Sequence, residues 1–180
     1  MEITIIILAG GKSSRMGEDK GMMSLYEKPM VQHVIETAKK ISEKISIISN
    51  NRNYEQFGLP VFPDSLKDKG PLAGMYEGLI RSDTEKNLIL SCDIPYIGID
   101  LLNFLIENSS GFQVTIPVYN QRVHPLIGVY TKNCASVFED QIRARRFKVM
   151  DSFGNLAVNQ LDAGQFPAQM FKNINNKRDL

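Results

Sequence analysis

Ile3-Thr4-Ile5-Ile6-Ile7-Leu8-Ala9 runs without a charge into Gly10-Gly11-Lys12-Ser13-Ser14-Arg15-Met16-Gly17-Glu18-Asp19-Lys20. The first seven residues are β-branched or apolar almost throughout, and a glycine pair stops them. That is the pattern of a short strand buried on both faces, as in the middle of a parallel sheet. A secretory leader would start on basic residues and end at a small-residue cleavage site, whereas Glu2 precedes this run and a Gly-Lys-Ser stretch follows it. A second continuous apolar run, Asn87–Ser91, has the same character.

Working outward, Lys44–Ser49, Pro60–Pro63 and Val114–Tyr119 read as further strands. Helical patterns lie between them. Pro29 opens Met30–Ile41, whose Val31, Val34, Ile35, Ala38 and Ile41 share one face. Two more helices are expected over Leu72–Arg81 and Asp100–Glu107. Strand and helix in alternation predict an α/β fold in three layers, a mostly parallel sheet with helices on both faces. The last third is less regular. Val123–Tyr130 reads as a strand, 133–145 as a helix, and Ala157–Leu161 and Phe171–Ile174 as strand-like fragments whose pairing the pattern leaves open.

With 180 residues and no linker or repeat, one domain over 1–180 is expected. The net charge of +1 supplies no global field for nucleic acid or an acidic membrane, so neither is an expected partner. Cys92 and Cys134, with His33 and His124, make neither a disulfide framework nor a four-ligand zinc site. No run approaches the ~20 apolar residues of a membrane span. A cytoplasmic location is expected.

Ligands of open α/β sheets sit beyond the carboxyl ends of the strands, so the loops there carry the chemistry. After the first strand, Gly10 and Gly11 permit a sharp turn and a close backbone approach, and Arg15 and Lys20 add donors for phosphate oxygens. It is not a Walker loop, because the earlier glycine would fall at Ile6, and no Gly-x-Gly-x-x-Gly is present. After the second, Ser91-Cys92-Asp93-Ile94-Pro95-Tyr96 puts a carboxylate at a strand tip. Asp93 fits a Mg²⁺ ligand or a turn-former before Pro95; Cys92 reads as a small buried residue rather than a nucleophile. The third loop is Asp64-Ser65 with Lys69-Gly70-Pro71-Leu72-Ala73-Gly74. Gly70-Pro71 suits a helix start and Gly74 a close helix contact. Asp64 reads as a cap, or as an acceptor for the N–H groups of a guanine base.

These pieces in this order resemble the molybdenum cofactor guanylyltransferase family, a group of MobA-type nucleotidyltransferases. Lys28-Pro29, Asn51-Arg52, His124-Pro125-Leu126 and Asn173-Ile174-Asn175 add to the resemblance, which runs over essentially the whole chain. It implies a Rossmann-like nucleotidyltransferase fold. It also implies transfer of GMP from GTP to the phosphate of molybdopterin, with Mg²⁺ required and pyrophosphate released. Leu8, Ala9, Gly10 and Gly11 would contact the nucleotide, Lys20 and Arg15 its phosphates, and Asp93 would ligate Mg²⁺. Asp64 and Asn51, or its neighbour Asn50, would hold the guanosine. Gly10-Gly11, where cytidylyl-transferring relatives carry Ala-Gly, leans toward guanine. Other cofactor-biosynthesis proteins or apo-molybdoenzymes are the implied protein partners. The tail departs from the family's Asn-x-Asn-Thr-Pro pattern, reading Asn173-Ile174-Asn175-Asn176-Lys177.

Direct attack of the acceptor phosphate on the α-phosphorus needs positioning and charge stabilisation more than acid–base groups, and Lys20, Arg15 and Asp93 suit that. His33 reads as a packing residue, and His124 as structural or as lining the acceptor site. Arg143, Arg145, Arg146 and Lys148 form either a solvated helix end or a grip for the pterin phosphate. Two other readings stand beside this one. One is another Mg²⁺-dependent nucleotidyltransferase, using CTP on the same pterin or a nucleotide on a sugar phosphate. The other is a GTP-binding protein that delivers cofactor without catalysis.

Overall fold

The structure is a computed structural model that describes residues 2–10, 19–65, 70–175 and 179. Its organising element is β1 (Ile3–Leu8), in which every residue is buried. Alternate side chains leave opposite faces of a strand. Ile3, Ile5 and Ile7 therefore join one core, and Ile6 and Leu8 a second core on the other side of the sheet. The first core is closed by α1 (Met30–Ala38) and α3 (Ile99–Glu107), the second by α2 (Pro71–Arg81) and α4 (Cys134–Arg143). The three expected layers result.

β1 pairs in parallel with β4 (Ile45–Ile48) on one side and with β6 (Lys86–Ser91) on the other. β5 (Val61–Phe62) extends the sheet beyond β4, also parallel. Beyond β6 the direction reverses. β9 (Ile127–Thr131) runs antiparallel to both β6 and β7 (Val114–Tyr119), and β10 (Val158–Asp162) closes the far edge parallel to β7. Among the described residues the order is β10-β7-β9-β6-β1-β4-β5, with β8 (Arg122–Val123) hairpinned onto β7. A separate two-stranded hairpin joins β2 (Ser24–Leu25) to β3 (Lys28–Pro29).

Three sequence expectations need correction. Val123–Tyr130 is not one strand, because 124–126 leave the sheet to form the edge of a cleft and only β9 continues. Phe171–Ile174 pairs with nothing as a strand; Ala168–Phe171 is a 3-10 turn whose last residue is buried. The close glycine on α2 is Gly78, not Gly74. A Cβ on Gly78 would lie 2.4 Å from Ile6 Cγ2, whereas one on Gly74 meets Leu8 at an ordinary 3.4 Å.

Leu8 stands opposite Ile48 in one ladder and Ser91 in the other. The segments that leave β1, β4 and β6 therefore emerge side by side. The strand order reverses between β1 and β6, the position where open α/β sheets bind ligands.

Candidate active site

At that reversal the chain crosses itself in a few hydrogen bonds. Ala9 N–H donates to Ile48 O and Cys92 N–H to Leu8 O, which ties the three loops together at their roots. Leu8 and Ala9 are buried there and Gly10 is exposed. Gly11 and Arg15 lie outside the described residues.

Lys20 opens a short 3-10 turn capped by Asp19, whose Oδ1 accepts from Gly21 N–H. Asp19 is itself gripped. The hydroxyl of Tyr54 donates to Oδ1 at 2.6 Å, and Asn51 Nδ2 donates to Oδ2 at 2.8 Å. Tyr54 is wholly buried. A Cβ on Gly21 would sit 2.2 Å from its hydroxyl, so only glycine fits after Lys20. Asn51, expected at the nucleoside, spends its amide inside the protein; its Oδ1 accepts from Asn53 N–H. Asp64 stands half-buried two residues beyond β5, at the carboxyl ends of the parallel strands. Cys92 is free and buried, and burial pushes its thiol pKa up, with Asp93 and Asp19 adding to the effect. That is an inert thiol, as expected.

Asp93 is half-buried just past β6. Its Oδ1 accepts from Ser91 Oγ at 2.6 Å and from Asn173 Nδ2 at 3.2 Å. Oδ2 takes no hydrogen bond from the described residues. No cluster of three or more His, Cys, Asp or Glu is present among those residues. A lone carboxylate with an unused oxygen fails as a zinc site. It fits Mg²⁺, which takes one or two carboxylates and fills its octahedron with phosphate oxygens and water.

The feature that sequence reasoning undervalued is the tail. Residues 173–175 return across the sheet edge as a strap. Ile174 is fully buried among Met23, Leu25 and Met30, and its N–H donates to Asp93 O. Asn173 holds the Asp93 carboxylate, and Asn175 Oδ1 accepts from Lys20 Nζ at 2.7 Å. The Asn-Ile-Asn spacing was the available signal, since alternate residues of an extended segment face one way.

A cleft of about 220 Å³ opens next to Asp93, beneath the β7–β8 hairpin. Ser91, Ile94, Arg122, His124, Leu126 and Asn173 are among its walls. His124 packs on Phe171 with ring centres 5.0 Å apart, and Phe171 stacks on Tyr119 at 4.5 Å. Burial, helped by nearby Arg122, lowers the His124 pKa, so the ring is neutral at pH 7. His33 hydrogen-bonds Leu25 O and plays the structural part expected of it. Arg143 pairs with Glu139 on its own helix, and none of Arg143, Arg145, Arg146 and Lys148 lines the cleft.

The family model of the MobA-like NTP transferase domain matches residues 5–153. The chain belongs to the MobA-like nucleotidyltransferases. A Flavobacterium johnsoniae protein named "Probable molybdenum cofactor guanylyltransferase" is 37% identical over 179 residues, covering 99% of this chain and 94% of the relative. A Carboxydothermus hydrogenoformans protein of the same name is 32% identical over 182 residues, with 98% and 92% covered. The crystal structure of molybdopterin-guanine dinucleotide biosynthesis protein A from Archaeoglobus fulgidus superposes with a TM-score of 0.81 at 20% identity, covering 98% of this chain and 94% of the other. That likeness concerns the fold. As a MobA-like transferase the protein is an enzyme of nucleotidyl transfer in the molybdenum cofactor guanylyltransferase family. The matched region ends before the strap, so Asn173 and Asn175 come from the part of the chain that the family model does not describe.

Proposed function

We propose that this enzyme transfers GMP from GTP to the terminal phosphate of molybdopterin, forming the guanine dinucleotide of the cofactor and releasing pyrophosphate, with Mg²⁺. The observation that carries the reading is the meeting of Lys20 and Asp93 on one strap at the reversal of strand order. The near-full-length relatives that share the guanylyltransferase name supply the choice of base and acceptor. Cys92 and Cys134 are free thiols, which suits a reducing compartment such as the cytoplasm.

In this reading the β1 loop approaches the nucleotide through its backbone at Leu8, Ala9, Gly10 and Gly11, and Asp64 accepts from the base. Lys20, with Arg15, neutralises the β- and γ-phosphates. Asp93 offers its unused oxygen to Mg²⁺, which would shield the charge that builds on the phosphate oxygens. An oxygen of the acceptor phosphate forms the new bond to the α-phosphorus. The bond from that phosphorus to the β-bridging oxygen breaks, and pyrophosphate leaves with the electron pair. No covalent enzyme intermediate is needed. The work of the protein is alignment and preset charge.

The test is pyrophosphate release from GTP, CTP and ATP in the presence of molybdopterin and Mg²⁺. Turnover with GTP at least tenfold above CTP is expected, a difference of about 1.4 kcal/mol. In Asp93→Asn, kcat falls by roughly 100-fold or more while the circular dichroism spectrum is unchanged. Faster turnover with CTP would overturn the choice of base. Near-normal turnover in Asp93→Asn would overturn the metal role.

A further inference from the structure

The cleft beside Asp93 carries charge that the nucleotide chemistry leaves unused. Arg122, at its mouth, is exposed and makes no ion pair with any described residue. None of the described residues that line the cleft is acidic. A guanidinium with no ion pair among the described residues, at the rim of a hollow they line without a carboxylate, suits an anion, and its fork of donors matches phosphate oxygens in pairs. His124 stands next to it with its ring held against Phe171. Being neutral, it offers a hydrogen bond without a second charge.

Geometry says which phosphate belongs there. The strap runs from the cleft, where Asn173 is part of the wall, past Asp93, to Lys20, where Asn175 ends it. The two cationic points thus meet different residues of the strap: Arg122 shares the cleft wall with Asn173, which also holds Asp93, and Lys20 meets Asn175. Phosphoryl chemistry of this kind runs in line, with the entering and leaving oxygens on opposite sides of the phosphorus. With Lys20 assigned to the departing pyrophosphate in the functional reading above, the cleft at the other end of the strap is left for the entering nucleophile. A space of about 220 Å³ accommodates a phosphate with part of the carbon framework next to it.

We propose that this cleft is the acceptor site, with Arg122 gripping the phosphomonoester of the acceptor and His124 orienting it toward the Asp93 side. The assignment rests on the nucleotidyltransferase reading above. Arg122 and His124 are then the residues that set acceptor affinity, and the β7–β8 hairpin is the element that carries them.

Two binding measurements on the same protein test it. Molybdopterin binding, followed by pterin fluorescence with no nucleotide present, is expected to weaken at least tenfold in Arg122→Gln and to recover in part in Arg122→Lys. GTP affinity, measured by calorimetry with Mg²⁺, stays within twofold of wild type in both variants. His124→Gln, which keeps a donor of similar reach, is expected to weaken molybdopterin binding less than His124→Ala. Absence of molybdopterin binding to the wild type, or binding indifferent to Arg122→Gln, overturns the proposal. So does a parallel loss of GTP affinity, which would put Arg122 on the nucleotide. Failure of wild-type protein to bind GTP would instead count against the functional reading, and the molybdopterin result would still decide the cleft.

Discussion

Asp19 shows how one side chain is placed by others far away in sequence. Its carboxylate collects the Tyr54 hydroxyl, the Asn51 amide and the Gly21 N–H, and the next residue is Lys20. The three donors fix where the ammonium begins its reach. Removing the hydroxyl in Tyr54→Phe leaves a half-buried carboxylate short of a donor, and a hydrogen bond to a charged group contributes about 1.5–3 kcal/mol. Denaturant titration of that variant should show a loss of this order, and calorimetry a weaker affinity for GTP with Mg²⁺. An unchanged GTP affinity would confine Tyr54 to a structural role. Asp93 was legible in the sequence because it stands just past a strand tip, and Lys20 because it closes the glycine-rich, basic run that follows the first strand. The bracket around Asp19 was not, because Asn51 and Tyr54 come from the 3-10 turn after β4. The asparagine expected at the nucleoside is therefore held inside the protein by a partner that no local pattern reveals.

Elements with a clear period were readable, and those whose form depends on a turn were not. β1, β6 and β7 stand within a residue of their expected limits, and α2 and α3 likewise, because burial on both faces or on one helix face leaves a pattern. The β2–β3 hairpin left no trace. Its turn residues Tyr26 and Glu27 both have positive φ, at 50° and 65°, where asparagine or glycine is the usual signal. Asn120 and Gln121, also with positive φ, turn the β7–β8 hairpin; the break before β9 at 124–126 was missed because the apolar residues on either side of it read as one run. The antiparallel sense of β9 was equally invisible, since a short apolar strand reads alike in either direction. On α2 the two glycines make opposite predictions. Gly78→Ala drives a methyl into the buried Ile6 and should cost roughly 1–3 kcal/mol, the range for overpacked cores. Gly74→Ala should be neutral or raise the melting temperature, because helix propensity favours alanine by ~1 kcal/mol and the contact with Leu8 is ordinary. Scanning calorimetry of the two variants separates them. Equal behaviour would mean that α2 shifts on the sheet.

For the molecule as a whole, the site is a junction of distant parts: the β1 loop, the β6 tip, the β7–β8 hairpin and the strap. The alternation of strand and helix anticipated that the loops after the parallel strands share one edge of the sheet. The docking of residues 173–175 did not follow from it, because the Asn-Ile-Asn spacing says that two side chains face one way but not what they meet. A ligand that binds this junction only in the folded state should stabilise everything it joins. GTP with Mg²⁺ at a hundred times its dissociation constant adds about 2.7 kcal/mol, or roughly 5–11 °C in melting temperature for a chain this long. Thermal melts should show most of that shift lost in Asp93→Asn, and an equal shift in the variant would remove the metal from the binding account. The position of β1 has another consequence, which belongs to the time before the fold exists. Synthesis reaches Ile3–Leu8 long before one of its two partners, β6, which begins only at Lys86. At bacterial or eukaryotic rates of synthesis that interval is on the order of several seconds. Throughout it, an uncharged, proline-free run of six residues with high strand propensity waits with at least one open edge, the composition that self-associates most readily. Slower growth temperature or a chaperone that shields nascent chains should therefore raise the yield of this protein more than that of a fold whose first strand pairs with its second.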